Sequence, residues 1–214
     1  GMGHAITIGK PLRLDKVKLY DGVDMYKCSG TPVDCVKLAV NKIFKGKKPD
    51  LCVSGINHGL NNSINVIYSG TMSAAVEGAI ENIPSVGFSL DDYTWDANFE
   101  DCKKYIKEIC IQILKNGLQQ GTLLNVNFPN NSAPIKGIKI CRQANAKWAE
   151  DFEERQDPYK RNYYWLTGVF QNNDKGEDSD VWALENHYVS VVPVQFDMTA
   201  HHVIASLNQW TFNV

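Results

Sequence analysis

Short apolar runs alternate along the chain with longer amphipathic stretches. Residues 51–53 (LCV), 84–90 (PSVGFSL) and 123–128 (LLNVNF) are compact runs bounded by Pro, Gly or Asp, a pattern that predicts buried strands. The stretches between them carry a helical period. Val33, Val36, Ala39, Val40 and Ile43 share one face, as do Met72, Ala74, Ala75, Val76 and Ala79. A third set is Cys102, Tyr105, Ile106, Ile109, Cys110 and Ile113. Thr31-Pro32 supplies an N-cap and a first-turn proline, while Gly46 and Asn116-Gly117 are plausible helix stops. With a further strand over 135–141, the order predicts an α/β fold built on a mostly parallel sheet.

Either side of this core the pattern changes. Near the start, residues 5–8 read as a strand beginning, Leu12, Leu14, Val17 and Leu19 alternate up to an Asp21-Gly22 turn, and 23–28 return as a second strand. After residue 142 the rhythm breaks into a segment rich in acids and aromatics, with strand character over 163–170 and an acidic loop over 172–180. Its aromatics suit a partner subunit, a base-stacking surface or a hairpin packed on its own domain, and the pattern leaves these open. A strand over 188–194 and a helix over 203–210 follow. The predicted organisation is a core (1–142), a β-rich oligomerisation insertion (143–186) and a return to the core (187–214).

Composition narrows the function class. A net charge of −2 with 21% charged residues gives no basic face for a nucleic-acid duplex. No run of about 18 apolar residues predicts a membrane span, so a cytoplasmic protein is expected. The six cysteines have no metal-ligand spacing and read as small buried hydrophobes.

The stretch 49–78, PDLCVSGINHGLNNSINVIYSGTMSAAVEG, holds the densest candidate chemistry: a strand, a polar loop and a helix start. A helix N-terminus presents unpaired N–H groups and a partial positive charge, so with Thr71 as cap and Gly70 giving close approach, Ser69-Gly70-Thr71 suits a phosphate. The plainer alternative is a turn and a cap alone. Asp34 is either a structural first-turn acid or a group facing the site, and Asp91-Asp92 is a generic pair for a metal. Asp197, if it caps the last helix, puts His201 one turn on, an acid and an imidazole suited to moving a proton.

Taken together, these motifs resemble the SurE survival-protein family of metal-dependent nucleotidases. The match runs through Val53-Ser54-Gly55-Ile56-Asn57-His58-Gly59, Asn61, Tyr68-Ser69-Gly70-Thr71-Met72 and Glu77-Gly78, then Gly30-Thr31-Pro32-Val33-Asp34-Cys35, then Asp197-Met198-Thr199-Ala200-His201. The resemblance implies a Rossmann-like, three-layer fold whose smaller elaboration is exchanged between subunits of a homodimer or homotetramer. It implies hydrolysis of nucleoside 5′- or 3′-monophosphates with Mg²⁺ or Mn²⁺. Asn57 would be a metal ligand, Asn61, Ser69, Gly70 and Thr71 would hold the phosphate, and His201 and Asp197 would handle the proton. The family's opening Asn-Asp-Asp-Gly, with two aspartate ligands, and its loop serine ligand do not occur in these residues. Impaired hydrolysis and an open sheet edge are therefore expected, with a non-catalytic nucleotide-binding module as the alternative. Asn65 stands where the family commonly has an acid, which bears on substrate preference. A serine hydrolase using Ser69 is a weaker reading, since there is no Gly-x-Ser-x-Gly elbow.

Overall fold

The computed structural model describes residues 3–212. A small antiparallel hairpin of β1 (Leu14–Val17) and β2 (Met25–Cys28) precedes α1 (Pro32–Leu38), which runs into a wider turn over Ala39–Ile43. Then come β3 (Cys52–His58), a 3₁₀ segment (Ser63–Tyr68), α2 (Gly70–Ile80), β4 (Ser85–Leu90), α3 (Glu100–Asn116), β5 (Thr122–Phe128) and β6 (Gly137–Ile140). A long hairpin, β7 (Ala146–Gln156) and β8 (Asn162–Asn172), is followed by α4 (Asp180–Glu185), β9 (Tyr188–Gln195) and α5 (His201–Leu207).

The central sheet has the order β3-β4-β5-β9-β6. β3, β4 and β5 are parallel, β9 runs antiparallel to β5, and β6 runs parallel to β9. The sheet is thus mostly parallel, as predicted, but β5 and β6 are not neighbours: the late strand β9 enters between them. β3 is the outermost strand on its side.

Strand alternation sorts the two faces. On one, Val86, Phe88 and Leu90 of β4, Val126 and Phe128 of β5 and Val189 and Val191 of β9 meet Cys102, Ile109 and Ile113 of α3. On the other, Leu123 of β5 meets Met72, Ala75 and Ala79 of α2. β4 turns small residues toward that helix because α2 lies close: a Cβ on Gly87 would sit 2.5 Å from the Met72 sulfur, and one on Gly78 would sit 2.4 Å from Ser85 Oγ. The layers are therefore helix, sheet, helix.

Several expectations shift. Residues 5–8 form no strand, and the first strand is confined to Leu14–Val17, since that opening segment is fixed instead by hydrogen bonds such as Thr7 N–H to Asp34. Within the insertion expected to hold a β-hairpin, the pattern gave β7 no range and α4 was not foreseen, because the acids of β7 face solvent and α4 spans only six residues. The last helix starts at His201 rather than 203. Of the cysteines, Cys102 and Cys141 are buried but Cys35 is exposed, on the outer side of α1.

Candidate active site

The site forms where β3 ends. Pairing with β4 slips between Ser54 and Asn57, and this bulge re-aims the strand's last side chains. Gly55 makes it possible: φ is +105°, and a Cβ there would lie 2.3 Å from the Phe88 carbonyl oxygen. The strand then delivers Asn57 and His58 to a cavity of about 280 Å³ whose far side is the start of α2. Its wall includes Asn57, Asn61, Ser69, Gly70 and Thr71, so five of the predicted residues come together.

A row of polar residues beneath the cavity holds Asn57 and Asn61. In the sheet register Asn57 pairs with Ser89 and Ser89 with Asn127, so three strands place them side by side. Asn57 Oδ1 accepts from the Ser89 hydroxyl (2.8 Å) and from Asn61 Nδ2 (3.1 Å), while its own Nδ2 donates to the carbonyls of His58 and Gly59 (2.9 Å each). Asn61 donates its backbone N–H to Asn127 Oδ1 (2.8 Å), and its carbonyl accepts from Asn125 Nδ2 (2.8 Å). Asn127 Nδ2 donates onward to Asn125 Oδ1 (3.0 Å). Asn61, Ser89, Asn125 and Asn127 are all buried. Sequence reasoning missed Ser89, Asn125 and Asn127, although polar residues inside otherwise apolar strands were a visible signal.

At the helix start the cap is Ser69, not Thr71. Ser69 Oγ accepts from Met72 N–H (3.0 Å), which makes Gly70 the first helical residue and leaves the amides of Gly70 and Thr71 without intrahelical acceptors. Two turns further in, the buried Glu77 carboxylate bridges His4 Nε2 (2.9 Å) and the Lys37 ammonium, tying the opening segment and α1 to α2. Asp34 is structural: it closes a capping box with Thr31 and accepts from Thr7 N–H. Burial works against its charge, but the hydrogen bonds from Thr7 and Thr31 outweigh it and hold the carboxyl down at about 2.

Asp197 and His201 stand apart. His201 Nε2 lies 2.9 Å from Asp197 Oδ2, and both side chains are largely exposed, at 71% and 54%. Asp197 does not cap α5: it accepts from Thr199 N–H (2.9 Å), and Ala200 occupies the cap position. Its carboxyl is held well below the usual range, chiefly by Thr199 and then by His201. Neither residue belongs to the cavity wall around Asn57.

The donor set does not make a divalent-cation site by itself. Asn57 Oδ1 already accepts two hydrogen bonds, and among the described residues no group of three or more His, Cys, Asp or Glu is placed to hold a metal. Asp92 is engaged by the amide and hydroxyl of Thr94, and Asp91 Oδ2 accepts from Asn130 (3.5 Å), so the paired aspartates are held as loop structure.

Residues 1–150 match the family described as Survival protein SurE. The chain belongs to the SurE family. It is 63% identical over 214 residues to 5'-nucleotidase SurE of Flavobacterium psychrophilum, covering 99% of this chain and 83% of that protein. It is 44% identical over 215 residues to 5'-nucleotidase SurE of Phocaeicola vulgatus, covering 100% and 83% respectively. The crystal structure of SurE protein from Aquifex aeolicus superposes with a TM-score of 0.82 at 39% identity, covering 97% of this chain and 83% of that one. The chain therefore shares the fold of that structure over nearly its whole length. No described helix is long and apolar enough to cross a membrane.

Proposed function

We propose that this SurE chain is a hydrolase of phosphoric monoesters that converts nucleoside 5′-monophosphates, and 3′-monophosphates as well, to nucleoside and phosphate. The observation that carries the reading is the cavity in which a helix start with two unengaged amides faces a buried asparagine network. A phosphate between them meets the partial positive charge of α2, with the Gly70 and Thr71 amides directed at its oxygens. As charge shifts on those oxygens during displacement, the fixed amides stabilise it without having to reorganise. Asn61, engaged by Asn127 and Asn125 through its backbone and by Asn57 and Ser89 through its side-chain amide, fixes the floor beneath that phosphate, and Ser69 holds the helix start in place.

His201 is the proton donor to the leaving alkoxide in this reading, with Asp197 orienting its ring. The pair stands outside the cavity of its own chain, so it serves there only if the 197–207 segment moves or a second copy supplies it. That requirement supports the homodimer or homotetramer of the family likeness. Mg²⁺ or Mn²⁺, with Asn57 as one ligand, follows from the same likeness. The described residues do not complete such a site. The compartment of the reading is the cytoplasm.

The test is phosphate release from AMP by the purified chain with and without added Mn²⁺ or Mg²⁺. Release that depends on the cation and falls about 10²-fold in His201→Ala supports the reading. A folded chain that releases nothing from any nucleoside monophosphate overturns it. One observation favours a second reading, a nucleotide-binding module without turnover: among the described residues the cavity wall carries no carboxylate and no thiol, and its one imidazole, His58, packs edge-on to Phe99 at 5.2 Å. AMP binding measured by calorimetry without metal, and without turnover, would select that module.

A further inference from the structure

The cavity has a polar end and an aromatic end, and only the polar end is accounted for by phosphate chemistry. Tyr68, Tyr93 and Trp148 line the remainder. Tyr68 and Trp148 also line two adjoining cavities of about 480 and 590 Å³, so an aromatic wall continues past the phosphate end toward the β7–β8 hairpin.

Trp148 is the fixed member of this wall. Its indole Nε1–H donates to Asn65 Oδ1 (2.8 Å), and Asn65 Nδ2 donates to Asn62 Oδ1 (3.2 Å), so the Asn65 amide is oriented at both ends. One side of the indole meets Phe170, its cross-strand partner, edge-on with centroids 5.6 Å apart. The hairpin itself is riveted to the 3₁₀ segment. The Ser63 hydroxyl lies within hydrogen-bonding distance of the carbonyls of Ala144 (2.9 Å) and Ala146 (2.7 Å), and the buried Asp180 carboxylate accepts from the amides of both Ser63 and Ala144. That 3₁₀ segment leads directly into Ser69, the cap of α2. The spacing between the indole and the helix start is therefore set by packed and hydrogen-bonded structure. Tyr93, by contrast, is 74% exposed and rests on Gly59, with no hydrogen bond from its hydroxyl among the described residues.

We propose that Trp148, latched by Asn65, is the platform on which the nucleobase of the substrate stacks. The inference rests on the proposed nucleotidase reading and deepens it by assigning the residue that tells a nucleotide from a smaller phosphate ester. A pre-positioned aromatic ring loses little freedom when a base lies on it, and every base has a π-face to offer. Because the indole N–H is already engaged by Asn65, the platform reads ring area rather than base edges. Purines are thus held more tightly than pyrimidines, and both more tightly than an ester without a base. Asn65 acts through Trp148 and is a positioning residue.

The experiment measures binding of AMP, CMP and ribose 5-phosphate to the full chain by calorimetry, alongside phosphate release from AMP and ribose 5-phosphate. The unaltered chain is expected to bind AMP about tenfold more tightly than ribose 5-phosphate, with CMP between them. Trp148→Ala should erase most of that advantage and leave ribose 5-phosphate within about twofold, whereas Trp148→Phe should keep most of it. Asn65→Leu should lower the AMP advantage about threefold by unlatching the ring. An unchanged AMP to ribose 5-phosphate ratio in Trp148→Ala overturns the platform. So does equal weakening of both ligands, which would mark a structural role, or no AMP binding to the unaltered chain. Failure to release phosphate from either ester, with the binding ratio behaving as expected, overturns the nucleotidase reading and leaves the platform standing.

Discussion

The Asn57–Asn61 end of the sheet and the Asp197–His201 pair are held by different forces. Asn57 and Asn61 are fixed by side chains from three neighbouring strands, most of them buried, so their geometry depends on residues up to 66 positions away in sequence. Asp197 and His201 are fixed by each other and by Thr199, all within one turn of exposed chain. Long-range burial ties the first region to the sheet, whereas the second is held by contacts within its own turn of chain. The difference teaches that the Asn57–Asn61 end is set by the tertiary fold, whereas the Asp197–His201 contact is set by neighbouring residues alone.

On the scale of folding stability, the comparison breaks hardest at Asn127. Asn127→Leu leaves the buried Asn61 N–H and the Asn125 amide oxygen without their partners, and urea unfolding should show a loss of about 3 kcal/mol. Asp180→Asn comes next. Asp180 Oδ2 accepts from Ser63 N–H and Oδ1 from Ala144 and Val181 N–H, so an amide must turn a donor toward a donor. A cost of about 2 kcal/mol is expected from the same measurement.

Asp34 sharpens the picture through pH. With its carboxyl held at about 2, below the ordinary carboxylate value near 3.9, its contribution is complete above about pH 4 and is lost as pH falls through about 2. Asp34→Ala should cost about 1–2 kcal/mol at neutral pH and flatten the decline of the urea midpoint on acidification. Asp197→Asn is the smallest in stability and should leave the urea midpoint unmoved, because both partners are exposed. Phosphate release should nonetheless fall about 10²-fold. If Asp197→Asn instead unfolds the chain as Asn127→Leu does, the contrast between the two regions fails.

The strands around Cys52, Val86 and Val126 and the helices around Ala75 and Ile109 were legible because burial imposes a period on sequence. So was the candidate phosphate loop, since a strand, small polar residues and a helix start follow one another locally. What was misread at that loop was the cap, because Ser69 and Thr71 are both good capping residues and only the backbone geometry selects one. The hairpin was half legible: the aromatics of β8 marked a strand, but the acids of β7 gave no apolar alternation.

The sequence by itself determined the α/β order, the helix start fit for an anion and the motifs that carry its SurE likeness, because each is written in neighbouring residues. Only the tertiary structure decided that β9 enters between β5 and β6, that Ser89, Asn125 and Asn127 hold Asn57 and Asn61, and that Asp197 and His201 are not part of the cavity wall around Asn57. The physical reason is that hydrogen bonds between strands join residues far apart along the chain. Such partners leave no periodic trace in sequence, only an unexplained polar residue inside an apolar run.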